Sequence, residues 1–184
     1  MTWIDWVFSA VGLAWIAEFL FFRNRSSSAS DPVERGSFYR IFAVLFGTIL
    51  AAFLLQEMRS EAAAPVLRVA GTLLFAAGVF LRLWGILHLK AQFTRHVTVR
   101  EGDEIVSSGP YRKLRHPLYT GLLFIAIGMP LFFTSPIAAI VGGALMVWAL
   151  LKRIDYEEKL LVEKFGPEYE HWMKQRARLI PYVY

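Results

Sequence analysis

The chain has 184 residues, of which 56% are hydrophobic and only 19% are charged, and its mean hydropathy is +0.44. Globular domains average roughly 45–50% apolar and about 25% charged residues, so this composition indicates a membrane protein and excludes global disorder. The absence of cysteine excludes disulfide scaffolds and thiolate chemistry, and the net charge of +5 in so apolar a chain favours anionic lipid over nucleic acid as a partner.

Five apolar stretches are predicted to be membrane-spanning helices, which makes the fold class a single-domain, all-α integral membrane protein. A span needs about 20 mostly apolar residues, and the first three stretches reach that length. The last two are shorter, and we expect a tight membrane hairpin there, with a soluble helical hairpin as the alternative. The predicted spans are residues 3–22, 38–56, 65–89, 118–134 and 136–151.

Lys and Arg residues are distributed unevenly around these spans. Seventeen of the 20 lie in or beside three segments: the one between the first two spans, residues 90–117 and residues 152–184. Because cytoplasmic loops are enriched in Lys and Arg, we expect these segments in the cytoplasm and the N-terminus outside. Arg82 lies inside the third span, where it either extends towards the lipid headgroups or lines an internal cavity.

The segment at residues 90–117 ends in Arg115-His116-Pro117, directly before the fourth span. Proline is favoured at the first helical position, and the unpaired N–H groups of a helix start attract anions. With His116 beside that helix start and Tyr119 in its first turn, we expect a site for a small anionic or zwitterionic ligand at the membrane surface.

The tail at residues 152–184 is predicted to begin as an amphipathic helix with Glu157 and Glu158 near its start, where carboxylates complement the helix dipole. Gly166-Pro167 is expected to end that helix, and a short helix is predicted to follow over residues 168–175.

The four histidines lack metal-ligand spacing, so no metal site is predicted.

Two stretches, SSGPYRKLRHPLYTG and RIDYEEKLLVEKFGPEYEHWMKQRARLIP, resemble the isoprenylcysteine carboxyl methyltransferase family. The resemblance covers about residues 87–181, and the elements G-P-Y-R, R-H-P-x-Y-x-G, E-E, F-G-x-E-Y and R-x-I-P follow one another in the family order. Members of that family are integral membrane enzymes that use S-adenosylmethionine. The resemblance therefore implies a cytoplasmic cofactor pocket formed by the loop before the fourth helix and by the C-terminal helices.

The resemblance also implies roles for individual residues. The implied cofactor-binding residues are Val106 (through its backbone), His116, Leu118, Tyr119, Glu157 and Glu158. A glutamate can accept hydrogen bonds from the ribose, an aromatic ring can pack on the adenine or the sulfonium, and His116 with the helix start can receive the carboxylate.

Basic residues are expected to hold an acidic substrate. The candidates are Arg153 and Arg176, with Arg178 beside them. A carboxylate acceptor needs no general base, whereas a phenol or enol needs one, and His96 or His116 is the candidate for that role.

The implied activity is methyl transfer from S-adenosylmethionine to a carboxylate or hydroxyl of a lipophilic or lipid-anchored substrate. A phospholipid N-methyltransferase is an alternative, although residues 82–87 lack the GxG element expected of that class. An NADPH-dependent reductase of lipid or sterol double bonds and a non-catalytic membrane scaffold are further alternatives. The chain looks like the short prokaryotic members of the family, for which we expect a location in the prokaryotic inner membrane.

Overall fold

The computed structural model describes residues 2–22, 32–55, 64–93 and 102–180. Within these ranges the regular structure is helical and there is no strand, as the apolar stretches predict. Short 3₁₀ turns cover Lys90–Gln92 and Gly109–Arg112. The helices are α1 (Trp3–Phe21), α2 (Pro32–Leu55), α3 (Ala64–Leu89), α4 (Pro117–Phe132), α5 (Pro136–Phe165) and α6 (Pro167–Lys174).

Helix α5 is continuous from Pro136 to Phe165. After Pro136 no proline interrupts it, and it ends only at Gly166, whose φ of +56° favours glycine. The prediction of a separate helix beginning near residue 152 is therefore wrong, and Glu157 and Glu158 do not lie at a helix start. At 1.5 Å per residue α5 is about 45 Å long, so its polar second half extends beyond an apolar layer of about 30 Å.

Two ion pairs join α1 to α3. Asp5 pairs with Arg68 near the start of both helices, and Glu18 pairs with Arg82 near their ends, so α1 and α3 run parallel. The Glu18 side chain is completely buried, and the Arg82 Nε donates to its Oε2 at 2.9 Å. The Arg82 guanidinium therefore turns inward, where it lines a cavity, instead of extending towards the headgroups.

Glycines let α3 and α4 approach one another closely. A Cβ at Gly78 would lie 2.6 Å from the Gly121 carbonyl oxygen, and a Cβ at Gly128 would lie 2.8 Å from the Gly71 carbonyl oxygen. Small residues allow this kind of backbone contact between membrane helices. The order of the contacts makes α4 antiparallel to α3 and fixes the start of α4 beside the end of α3.

The remaining helices complete an alternating arrangement. A tight turn at residues 133–135 folds α5 back against α4. Helix α2 packs antiparallel to α5, because Ser37 contacts Arg153 while Thr48 packs against Gly142. Consecutive helices from α1 to α5 therefore reverse direction.

Three helical stretches of the described residues are long and apolar enough to cross a membrane: Gly36–Leu55, Ala64–Leu89 and Pro136–Phe165. Helix α4 is a shorter apolar helix of 16 residues. Large apolar side chains cover the outer surface, with Leu13 68% exposed and both Leu20 and Ile140 73% exposed. Such an apolar exterior is that of an integral membrane protein.

The C-terminal segment is bonded to the loop before α4. The Arg115 N–H donates to the Ala177 carbonyl at 2.8 Å, and the Ala177 N–H donates to the Lys113 carbonyl at 3.0 Å. One turn into α4, the Thr120 hydroxyl donates to the Leu179 carbonyl at 2.6 Å. The loop and the tail, which the sequence places far apart, therefore form one layer over the helix ends.

We expect Gly78→Ala to lower the thermal midpoint of the detergent-purified protein, because its methyl group would meet the backbone of α4. Overpacking of this kind typically lowers the free energy of unfolding by ~1–3 kcal/mol. The matched control is Gly47→Ala, where no atom lies within 4 Å of the added Cβ. Replacing glycine by alanine at an open helical position stabilises the folded protein by roughly 0.5–1 kcal/mol. The thermal midpoint of Gly47→Ala should therefore equal or exceed that of the wild type. Equal midpoints for the two variants contradict the packing described for α3 and α4.

Candidate active site

A cavity of about 250 Å³ extends from the loop before α4 into the space between α1 and α2. Its volume is close to the lower end of the range of about 300–1,000 Å³ for small-molecule sites. One half, under the loop and α6, is lined by charged and aromatic side chains, and we call it the polar half. The other half is lined by Trp15, Phe38, Ile41, Phe42, Leu45 and Leu122, and we call it the apolar half.

Glu157 and His116 face the polar half. His116 is the N-cap residue of α4 and is 5% exposed, and its Nδ1 lies 3.9 Å from the Glu157 Oε1. Its Nε2 is hydrogen-bonded to the Glu158 Oε1 at 3.0 Å. The imidazole is thus held between two consecutive carboxylates of α5, only one of which borders the cavity.

Glu158 lies behind His116 and is not among the residues that line the cavity. Its carboxylate contacts Arg115 at 3.2 Å and Arg178 at 2.9 Å as well as His116. Burial alone raises the pKa of the Glu158 carboxyl, but the hydrogen bond from His116 and the charges of His116, Arg178 and Arg115 outweigh burial and lower that pKa to about 2. Glu158 is therefore ionised and already engaged by Arg115, Arg178 and the His116 imidazole.

Arg153 and Tyr119 lie where the two halves meet, and we call this place the junction. The Arg153 Nε donates to the Tyr119 hydroxyl at 2.8 Å, and that hydroxyl donates to the Glu157 Oε2 at 2.6 Å. The Arg153 Nη1 donates to the Ser37 hydroxyl of α2 at 3.1 Å. Arg153 is only 3% exposed, so this network fixes a positive charge inside the protein at the boundary between polar and apolar surroundings.

Aromatic side chains cover the polar half. Tyr169 and Trp172 of α6 stack with ring centroids 5.3 Å apart and pack with Tyr111. The Trp172 Nε1 donates to the Ser107 hydroxyl at 2.8 Å, which ties α6 to the loop. Burial raises the pKa of the Tyr169 phenol, so the ring stays neutral. The result is a partly apolar wall suited to a flat aromatic ligand.

Most of the residues implied to bind a cofactor line this cavity. They are Val106, His116, Leu118, Tyr119 and Glu157, together with Arg153 from the substrate-binding candidates. Leu118 packs over Gly85 at the end of α3.

Arg176 lies outside the cavity lining. Its Nε donates to the Tyr111 carbonyl and its Nη1 to the Trp172 carbonyl, both at 2.9 Å, and its guanidinium lies 4.5 Å from the Trp172 ring centroid. These contacts fasten the tail to the loop. His96, the other candidate base, lies outside the described residues.

Several residues in the cavity wall or, like Ser37, beside it are not predicted by the sequence. Ser37 and the apolar lining of α1 and α2 carry no motif that distinguishes them from other residues of a span. Arg82 is recognisable in the sequence as an unusual residue of a span. Its partner Glu18 is also recognisable, because a carboxylate inside the apolar span of residues 3–22 needs a buried partner.

Comparison with known proteins agrees with the motifs. The model of the isoprenylcysteine carboxyl methyltransferase family matches residues 70–163. Protein-S-isoprenylcysteine O-methyltransferase B of Arabidopsis thaliana is 32% identical over 116 residues, which cover 61% of this chain and 58% of that protein. The human protein-S-isoprenylcysteine O-methyltransferase is 32% identical over 120 residues, covering 64% of this chain and 42% of the human protein.

The rat protein-S-isoprenylcysteine O-methyltransferase is 34% identical over 122 residues, covering 61% of this chain and 43% of the rat protein. The chain thus spans about half the length of the relatives it matches. The region matched by the family runs from α3 into the second half of α5 and contains His116, Tyr119, Arg153 and Glu157. Because this match covers half of the chain, the chain belongs to the isoprenylcysteine carboxyl methyltransferase family.

Proposed function

We propose that this protein is an S-adenosylmethionine-dependent methyltransferase that esterifies the carboxylate of a lipophilic substrate. The observation that carries the proposal is a single cavity with a polar half and an apolar half that meet at a buried arginine. A polar methyl donor and a lipid acceptor need two such environments side by side, with a cation where the acceptor's carboxylate must lie.

The polar half fits S-adenosylmethionine, which supplies an activated methyl group when it is bound. Glu157 faces the cavity and can accept hydrogen bonds from the ribose hydroxyls. Tyr111, Tyr169 and Trp172 form an aromatic wall against which the adenine can pack. His116 and the start of α4 can receive the carboxylate of the methionine moiety.

Arg153 is proposed to position the acceptor. Its guanidinium can hold a carboxylate in a charge-assisted pair while the Tyr119 and Ser37 hydroxyls fix its orientation. A carboxylate is already nucleophilic, so these residues need only align it with the methyl group and exclude water, and such alignment supplies most of the rate enhancement. No general base is required in this reaction.

The apolar half is proposed to receive the lipid portion of the substrate. Phe42 lines it and is 38% exposed, so the wall of the cavity is also part of the lipid-facing surface of α2. A substrate can therefore enter from the bilayer between α1 and α2. The relatives are named for protein S-isoprenylcysteine, whose prenyl chain and terminal carboxylate match the two environments.

The buried Arg153 cation also argues against a phospholipid amine as the methyl acceptor. A protonated phosphatidylethanolamine amine would be repelled by Arg153 at the junction, whereas a carboxylate is attracted. A nicotinamide-dependent reductase draws no comparable support from the described residues. The family match agrees with this preference.

The helix directions and the charges together support five crossings with a cytoplasmic cavity. Because the chain reverses direction at each helix from α1 to α5, the ends that surround the polar half share one face. That face carries Arg115, Arg153 and Arg178 among its many basic residues. By the positive-inside rule this charge supports a cytoplasmic location for the face and an N-terminus outside.

Purified protein in lipid nanodiscs should transfer a labelled methyl group from S-adenosylmethionine to N-acetyl-S-farnesylcysteine, giving a base-labile methyl ester. N-acetylcysteine is the matched control and should give no product, because it leaves the apolar half empty. Methylation of phosphatidylethanolamine in place of the prenylated carboxylate, or oxidation of NADPH with a lipid alkene, refutes the proposed activity.

Glu157→Gln should weaken the binding of S-adenosylhomocysteine, measured by calorimetric titration, because it removes the charged acceptor for the ribose. A hydrogen bond to a charged group contributes about 1.5–3 kcal/mol, or roughly ten- to a hundredfold in affinity. Glu158→Gln should weaken binding less, since Glu158 acts only through His116. Exposed Glu163 on the same helix supplies the control, and Glu163→Gln should bind as wild type does. Wild-type affinity in Glu157→Gln would remove this residue from the proposed cofactor site.

A further inference from the structure

Two cations from neighbouring helices converge on one indole ring at the outer surface. The Arg40 guanidinium of α2 lies 5.4 Å from the centroid of the Trp148 ring of α5, and the Lys152 Nζ lies 4.4 Å from the same centroid. Trp148 is 48% exposed and Lys152 is exposed. We call these three residues the α2–α5 cationic cluster; none of them lines the cavity described above.

The cluster differs from the ion pairs of the bundle. Arg68, Arg82 and Arg178 each pair with a carboxylate. In the part of the chain that the structure describes, Arg40 and Lys152 form no ion pair with an Asp or Glu, and the nearby Asp155 is engaged by Arg178. Two like charges on one ring repel each other, and an anion bound between them would relieve that repulsion.

The position of the cluster indicates the nature of that anion. Lys152 stands where the apolar part of α5 gives way to its polar part, which is the depth of lipid headgroups. Towards the bilayer centre the surface beside the cluster is apolar and exposed, with Phe46 50%, Leu145 47% and Val141 52% exposed. The phosphate of a lipid would contact the two cations and the indole, and its acyl chains would cover the apolar surface beside them. A free phosphate would contact only the cations.

We propose that Arg40, Trp148 and Lys152 bind the headgroup of an anionic phospholipid whose acyl chains lie along the contact between α2 and α5. Basic side chains near the membrane surface attract anionic lipids, and an interfacial Trp anchors the site at that depth. The bound lipid bridges α2 and α5 one turn from Ser37 and next to Arg153, and it thereby stabilises the helix pair that holds the buried arginine. This proposal does not depend on the identity of the methyl acceptor.

The test is the thermal midpoint of the detergent-purified protein during titration with dioleoylphosphatidylglycerol, dioleoylphosphatidylcholine or inorganic phosphate. Phosphatidylglycerol should raise the midpoint of the wild type, and the other two should not. Arg40→Gln/Lys152→Gln should lower the apparent affinity for phosphatidylglycerol roughly tenfold or more. Lys159→Gln/Lys164→Gln, which removes the same charge from α5 alone, should respond like the wild type.

A further variant guards against loss of folding. Arg40→Lys keeps the charge and should keep the response to phosphatidylglycerol. Equal responses of the two double variants, or an equal rise with phosphatidylcholine, overturn the proposed lipid site. An equal rise with inorganic phosphate also overturns it, because the site then recognises a free anion.

Discussion

The cavity depends on one set of contacts, in which a buried guanidinium is held between three helices. Arg153 of α5 donates to Tyr119 of α4 and to Ser37 of α2, and only 3% of it is exposed. Removing a cation from water costs several kcal/mol unless hydrogen bonds and nearby charges compensate. Glu157 contributes such a charge through the Tyr119 hydroxyl. The same network therefore stabilises the arginine and sets the boundary between the two halves of the cavity.

The packing of the helices explains why there is a cavity at this boundary. Helices α3 and α4 touch through glycines, which brings the start of α4 and its His116 against the end of α3. Helix α1 packs on α3, and α2 packs on α5 and α4. Because α1 and α2 are held by different neighbours, the space between them is lined by side chains of both, and it continues into the polar half.

Much of the architecture could be predicted from the sequence, because apolar length and turn residues are local signals. The five apolar stretches correspond to α1 to α5, and the break at Gly166-Pro167 is confirmed. The continuity of α5 was also readable, since no proline lies between Pro136 and Gly166. The heptad spacing of glycines in α3 and α4 was a further signal for their close contact.

The site was predicted less completely, for geometric reasons. Consecutive residues of a helix point about 100° apart, so the sequence of a Glu-Glu pair does not show which carboxylate faces a cavity. In the structure Glu157 lines the cavity and Glu158 lies behind His116. The basic tail did not reveal that Arg176 is bonded to backbone carbonyls, because those partners lie in the distant loop and in α6. Ser37 has no local signal at all, since its role depends on α2 packing against α5.

The role of Arg153 is tested most directly by a thermodynamic cycle between the charge of the ligand and the charge of Arg153. Binding of N-acetyl-S-farnesylcysteine and of its carboxamide analogue would be measured on the wild type and on Arg153→Gln in nanodiscs. The wild type should prefer the carboxylate roughly ten- to a hundredfold, and Arg153→Gln should lose this preference while still binding the carboxamide. An undiminished preference for the carboxylate in a folded Arg153→Gln protein would contradict the assignment of the buried arginine as the group that receives the acceptor.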